Sequence, residues 1–218
     1  MTVGADRARL LVATRSTHKL RELRELLDLH ADLIDLDDVG VIEEAVEDGE
    51  TFEANAARKA RFYCGLSGLP TLADDSGIEV DAIGGGPGVR TRRYAGEHAT
   101  DEENNVKLLG ALAGLPAERR GARYRCALAL ALPEQRGSRG GLPLRFARGT
   151  CEGRIAAAPR GDRGFGYDPI FEPAAEPPGG RTLGEWTAAA KNRISHRGKA
   201  ARHGHRANVG VDLTRAAA

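Results

Sequence analysis

Apolar and polar positions alternate with two periods along the chain, and the period predicts the element. Residues 8–14, "ARLLVAT", form a short apolar run that predicts a buried strand. "STHKLRELRELLDLH" (16–30) then places Leu20, Leu23, Leu26 and Leu27 at helical spacing, with Ser16 or Thr17 as N-cap. "ADLIDL" (31–36) predicts a second short strand. A strand, a helix and a strand at this spacing predict an α/β sheet.

Further on, residues 48–68 read as a loop and then a helix from about Thr51, closed by glycines. "LPTLAD" (69–74) predicts the next strand, and residues 76–96 a separate short strand with a long Gly-rich loop. "TDEENNVKLLGALAGL" (100–115) predicts a helix opened by a capping box between Thr100 and Glu103. Residues 122–132 and 141–155 read as two strands joined by the polar turn "PEQRGSRGG". Alternation in the first puts Tyr124, Cys126, Leu128, Leu130 and Leu132 on one face. A second Gly-rich loop (158–171) and a helical region within 183–203 complete the chain. No repeat or linker interrupts it, so the expected architecture is one mixed α/β domain over residues 1–218, arranged as two lobes with a cleft between them.

Composition narrows the functional classes. The formal net charge is +1 with 29% charged residues, which argues against a disordered tail protein and against strong non-specific nucleic-acid binding. Aromatics are only 5%, too few for a single-strand stacking platform. Cys64, Cys126 and Cys151 are odd in number and far apart, which fits reduced thiols rather than disulfides or zinc. No apolar run reaches membrane-spanning length, and "RLLVAT" is too short for a secretory signal. The expectation is a soluble cytoplasmic protein with no membrane or nucleic-acid partner.

Four stretches carry candidate chemistry. "ATRSTHK" (13–19) sits at a strand-to-helix junction, where unpaired N–H groups and the helix dipole suit a phosphate. Thr14, Ser16 and Thr17 add hydroxyls and Lys19 a charge; an ordinary capped helix with a surface lysine fits the same residues. Glu47 and Asp48 before a glycine, and Lys59 on the following helix, read alone as solvated charges. Asp74 and Asp75 stand together at a predicted strand end, and such a pair either holds Mg²⁺ with bound water or caps a turn. "GFGYD" (164–168) puts Phe165 between glycines, either flat against a base or plugged into the core, with Asp168 able to accept from a ring N–H. "KNRISHRGKA" (191–200) offers Lys191, His196, Arg197 and Lys199, a pattern that more often marks a solvated helix face.

Taken together, "VATRSTHKLREL", "EDGETFEANAARKA", "LPTLADDSGIEVDAIGGGPGVRTRRYAG", "GDRGFGYDPIF" and "ISHRGKA" resemble, in order, the inosine triphosphate pyrophosphatases, the non-canonical purine (XTP/dITP) nucleoside-triphosphate pyrophosphatases. The resemblance implies an elongated mixed β-sheet with flanking helices, in two lobes around a central active-site cleft. It implies Mg²⁺-dependent hydrolysis of ITP, dITP and XTP to the monophosphate and pyrophosphate by a homodimer. The alternatives are a house-cleaning pyrophosphatase for other modified nucleotides and a catalytically weak nucleotide-binding protein.

By position, the resemblance implies that Thr14, Arg15, Ser16, Thr17, His18 and Lys19 hold the triphosphate, with Lys59 neutralising charge. Glu47 and Asp75 match the metal-binding acids, Asp75 matches the proton acceptor, and Asp74 supports them. Ser76 would contact substrate. Phe165 would stack on the purine, with Gly166, Tyr167 and Asp168 completing that wall, and Lys191, His196 and Arg197 would contact the nucleotide. The family's first loop usually reads Thr-Gly-Asn-x-Gly-Lys; here Arg15, Ser16 and His18 stand at the second, third and fifth positions.

Overall fold

The computed structural model of the protein describes residues 7–27, 31–133 and 142–206. Among them six strands form one mixed sheet in the order β2-β1-β3-β4-β5-β6. The strands are β1 (Ala8–Ala13), β2 (Ala31–Ile34), β3 (Thr71–Val80), β4 (Gly121–Ala131), β5 (Leu144–Ile155) and β6 (Phe171–Pro173). The helices are α1 (Thr17–Leu26), α2 (Phe52–Ser67), α3 (Asp101–Ala111), α4 (Ala188–Ile194) and α5 (His196–Arg206). β1 runs parallel to both β2 and β3, with Leu10 opposite Leu33 and Ala13 opposite Ala73. Parallel neighbours need a crossover, and α1 and α2 lie in the two connecting stretches. The polar turn expected between β4 and β5 lies, for residues 134–141, outside the described residues.

The chain divides into two compact units. Unit 1 takes in the described parts of Met1–Asp75, Ala127–Ala147 and Ala201–Ala218, and unit 2 takes in Ser76–Cys126 and Arg148–Ala200. The boundary in β3 therefore falls between Asp75 and Ser76.

In unit 1, Ser16 caps α1 by accepting from the Lys19 N–H at 3.3 Å, and Leu23 turns fully inward. Thr51 caps α2, and Gly68, left-handed at φ 67°, ends it by donating to the Cys64 carbonyl. Phe52, Ala56, Ala60 and Cys64 form the apolar stripe of α2, all buried. In unit 2 the Thr100–Glu103 capping box opens α3 as expected, with bonds of 3.1 and 2.8 Å. Ile78, Val80, Leu108, Leu112, Tyr124 and Ile155 belong to the core of this unit, with Tyr167, Phe171 and Leu183.

Four differences from the sequence reading have physical causes. β3 does not stop at the acid pair but continues through Asp74, Asp75, Ser76 and Gly77 to Val80. Acidic residues and glycine are poor strand formers, yet here each acid meets a lysine, and that local preference is overridden. The alternation in β4 holds only up to Cys126; Ala127 to Ala131 are buried on both faces, because alanines fill the second face. The C-terminal helical region is broken at Ser195, which is extended and whose Oγ accepts the Gly198 N–H at 3.0 Å. β6 was not foreseen: it is three residues long and pairs antiparallel with β5 where Gly153 admits the Glu172 carbonyl.

Candidate active site

Asn55, Lys59 and Tyr63 recur every four residues and so share one face of α2. All three are buried. Lys59 Nζ donates to Glu47 Oε2 at 3.1 Å, to the Asp74 carbonyl at 2.8 Å and to Asp75 Oδ1 at 3.2 Å. Asn55 Nδ2 donates to the other Asp75 oxygen at 3.2 Å, while its Oδ1 accepts the Gly49 N–H at 2.7 Å. A side chain at Gly49 would bring its Cβ to 2.6 Å from that oxygen and displace the Asn55 amide.

Successive side chains of a strand point to opposite faces, and the acid pair follows this rule. Asp74, its side chain fully buried, receives Lys19 Nζ at 2.7 Å, while Asp75 turns to Lys59. The unit 1 cluster thus gathers Lys19, Lys59, Glu47, Asp74 and Asp75: two ammoniums against three carboxylates. Burial raises the Asp75 pKa above the usual carboxylate value; Lys59 and Lys19 oppose this, and Glu47 and Asp74 add to it. Burial lowers that of Lys59, but Asp75, Glu47 and Asp74 outweigh it, so Lys59 stays an ammonium beyond the ordinary lysine range. Asp75 is a buried carboxylate of raised basicity beside a fixed cation.

The rest of the first loop is placed around α1. Thr14 Oγ1 accepts the Ser16 N–H at 3.1 Å, and Thr17 and His18 are exposed. Arg15 does not point away freely: its guanidinium donates to the Val41 carbonyl at 2.9 Å and the Glu43 carbonyl at 3.2 Å.

Unit 2 holds the second cluster. Phe165 is half-buried and outside the core, whereas the Tyr167 ring lies within the core and its hydroxyl donates to the Thr91 carbonyl at 2.8 Å. The core-plug reading therefore belongs to Tyr167, not Phe165. Lys191 Nζ lies 4.7 Å and the Arg197 guanidinium carbon 5.8 Å from the Phe165 ring centre, within cation–π range. Asp168 is buried, pairs with Lys191 Nζ at 2.5 Å and accepts the Phe165 N–H at 3.0 Å. Both of these bonds fall on Asp168 Oδ2. Arg197, fully buried, donates to Ser76 Oγ at 2.8 Å, and the His196 ring stacks on Tyr124 at 4.6 Å between centres.

Three residues were missed by sequence reasoning. Asn55 was legible as a lone amide among alanines, one turn before Lys59. Asp101 and Asn105, one turn apart on α3, hold both backbone groups of Gly166: Asp101 Oδ2 accepts its N–H at 2.6 Å and Asn105 Nδ2 donates to its carbonyl at 3.1 Å. No signal in the sequence tied α3 to that loop.

Glu47 and Asp75 both lie within hydrogen-bond distance of one cationic centre, Lys59 Nζ, so two carboxylates converge on a shared positive charge. Among the described residues no group of three or more His, Cys, Asp or Glu is arranged to hold a metal. Mg²⁺ is ordinarily held by one or two carboxylates and completed by substrate oxygens and water, and Glu47 and Asp75 would supply the two carboxylates.

The model of the Ham1 family matches residues 10–205. The chain belongs to the Ham1 family. Within reach of this Ham1 chain is a protein of Geobacter sulfurreducens named dITP/XTP pyrophosphatase, 48% identical over 193 residues, covering 88% of this chain and 92% of the relative. A Syntrophobacter fumaroxidans protein of the same name is 47% identical over 196 residues, covering 89% of this chain and 79% of the relative. Among solved structures, a HAM1 protein from Coxiella burnetii superposes with a TM-score of 0.78 at 38% identity, covering 95% of this chain and 98% of that one. A dITP/XTP pyrophosphatase from Mycobacterium abscessus gives 0.68 at 41% identity, covering 85% and 92%. No helix among the described residues is long and apolar enough to cross a membrane.

Proposed function

We propose that this Ham1 chain hydrolyses non-canonical purine nucleoside triphosphates, ITP, dITP and XTP, to the monophosphate and pyrophosphate. The names of its relatives support the reaction and the substrate class. The observation that carries it is Asp75: a buried carboxylate of raised pKa, held on one oxygen by Lys59 and on the other by Asn55.

In this reading the junction from Thr14 to Lys19 receives the triphosphate, and Lys19 and Lys59 balance its charge. A water oxygen bonds to the α-phosphorus and the bond from that phosphorus to the α–β bridging oxygen breaks. Asp75 takes the water proton, and pyrophosphate leaves with the electron pair. Mg²⁺, which Glu47 and Asp75 would hold with the phosphates, supplies charge withdrawal from the phosphate oxygens.

Phe165 offers its ring to the purine, and the donors of Lys191 and Arg197 suit the 6-oxo acceptor of hypoxanthine and xanthine. Adenine puts an amino donor there and leaves such a group unpaired, at a cost of roughly 1–3 kcal/mol. His196 orders that wall by stacking on Tyr124. A cytoplasmic homodimer is the setting that the resemblance implies, and sedimentation of the purified chain tests the dimer.

The deciding experiment measures pyrophosphate release from ITP, dITP, XTP, ATP and GTP, with Mg²⁺ and with chelator. Preference for the 6-oxo, non-guanine substrates and dependence on Mg²⁺ are expected. Equal turnover of ATP, or release of orthophosphate instead of pyrophosphate, overturns the reading.

A further inference from the structure

Residues 41–49 have no regular secondary structure, yet one side of residues 43–49 is held at every second position. Tyr63 Oη donates to the Glu43 carbonyl at 3.2 Å and accepts the Ala45 N–H at 3.3 Å. Lys59 Nζ donates to the Glu47 carboxylate, and Asn55 takes both backbone groups of Gly49, at 2.7 Å for the N–H and 3.4 Å for the carbonyl. Positions between them face outward: Ile42 is 84% and Val46 69% exposed.

The match is geometric. Four residues of α-helix rise about 6 Å, and two residues of extended chain span about 6.6 Å. Side chains four apart on α2 therefore stay in step with residues two apart on a strap running antiparallel to it. Tyr63, Lys59 and Asn55 descend along α2 as Ala45, Glu47 and Gly49 ascend along the strap, with the Glu43 carbonyl a second partner of Tyr63. The last rung, Asn55, also donates to Asp75.

We propose that Tyr63 and Asn55 are positioning residues: the ladder they form with Lys59 fixes the strap so that the Glu47 carboxylate stands at a set place relative to Asp75. This rests on the reading of Glu47 and Asp75 as the Mg²⁺ acids. Tyr63 touches neither acid in the ladder, and it acts by holding the strap upstream of Glu47. The cation would then meet carboxylates already in place, and strap order and Mg²⁺ affinity are one property.

Tyr63→Phe tests it, because it keeps the ring and removes only the hydroxyl. The hydroxyl makes two hydrogen bonds to the strap, so amide hydrogen exchange in the metal-free protein should quicken about five- to hundredfold at Ala45 and at Gly49, the effect of two lost hydrogen bonds on a local opening. The Mg²⁺ concentration for half-maximal pyrophosphate release should rise by the same order, with kcat at saturating Mg²⁺ retained. Val46→Ala, on the outward side, should change neither. Faster exchange with unchanged Mg²⁺ half-saturation overturns the positioning role and leaves Tyr63 a structural residue. Unchanged exchange at both amides overturns the ladder itself. A wild-type chain that turns over without Mg²⁺ overturns the metal reading and this proposal with it, while the exchange result still judges the ladder separately.

Discussion

Asn55 Nδ2 and Lys59 Nζ hold the two oxygens of Asp75, each at 3.2 Å, so this carboxylate has its orientation set from one helix. Substituting Asp75→Asn keeps the shape but removes the basic oxygen and the charge. Pyrophosphate release from ITP should fall at least about a hundredfold, the low end for a lost acid–base group. Circular dichroism should stay native. Near-normal turnover by a folded Asp75→Asn protein would take Asp75 out of the mechanism.

The two aromatics of the Gly-rich loop should separate cleanly. Phe165→Ala removes a half-buried ring outside the core, so binding of ITP should weaken by roughly 1–3 kcal/mol, as for a lost stacking ring, with little change in melting temperature. Tyr167→Ala empties a core position and should lower stability by about 3–5 kcal/mol, the range for large aromatic truncations. If Phe165→Ala unfolds the protein while its Michaelis constant for ITP is unchanged, the assignment of the two rings is reversed.

Much of this was readable beforehand because it is local. Ser16, Thr51 and Thr100 announced helix starts, and each caps the helix expected of it. The candidate acids and bases were named from motif resemblance, and the structure brings Lys19, Lys59, Glu47, Asp74 and Asp75 together in one unit and Phe165, Asp168, Lys191 and Arg197 in the other. What was not readable is long-range. The run of β3 through Asp74 and Asp75 depends on Lys19 and Lys59, which are 55 and 16 residues away from their partners. Asn105 grips Gly166 across 61 residues, and no local pattern encodes that contact.

The grip of α3 on Gly166 has its own consequence. Asp101→Ala and Asn105→Ala each free one backbone group of the residue next to Phe165. Both should raise the Michaelis constant for ITP several-fold, as one or two lost hydrogen bonds allow, with kcat changed less. Asp101→Asn retains an acceptor and should restore most of the loss. A fall confined to kcat would place the effect elsewhere than the base wall.

Alkaline stability should follow the buried thiols. Burial pushes Cys64 and Cys151 up to about 11, against about 8.5 in an unfolded chain. Between those values the unfolded state has released protons that the folded state keeps, so stability falls as pH rises. This contribution is whole below about pH 8.5 and is lost on the way to about 11. Melting temperature measured from pH 8 to 11 should decline, and Cys64→Ala and Cys151→Ala should each flatten the slope whatever their offset at pH 8. An identical slope in both variants excludes the thiols as its source. Alkylation at pH 8 should likewise be slow until denaturant is added.

The departure of the first loop from the family pattern is the last point to test. Ser16 caps α1 through the Lys19 N–H, and asparagine caps as well as serine. Ser16→Asn should therefore keep α1 and preserve or improve turnover, since its longer amide adds a donor where the helix start already favours an anion. Arg15 is different. Its hydrogen bonds go to the carbonyls of Val41 and Glu43, at the head of the strap that carries Glu47. Arg15→Gly should weaken activity by loosening those residues, and hydrogen bonds to carbonyls are only weakly screened by salt. Kinetics at rising ionic strength decide between two roles for this arginine. A loss that stays constant with salt marks a structural tie, and a loss that shrinks as the Debye length falls, and that Asp37→Asn does not reproduce although Asp37 Oδ1 pairs with Arg15 at 3.7 Å, marks a charge acting on the triphosphate.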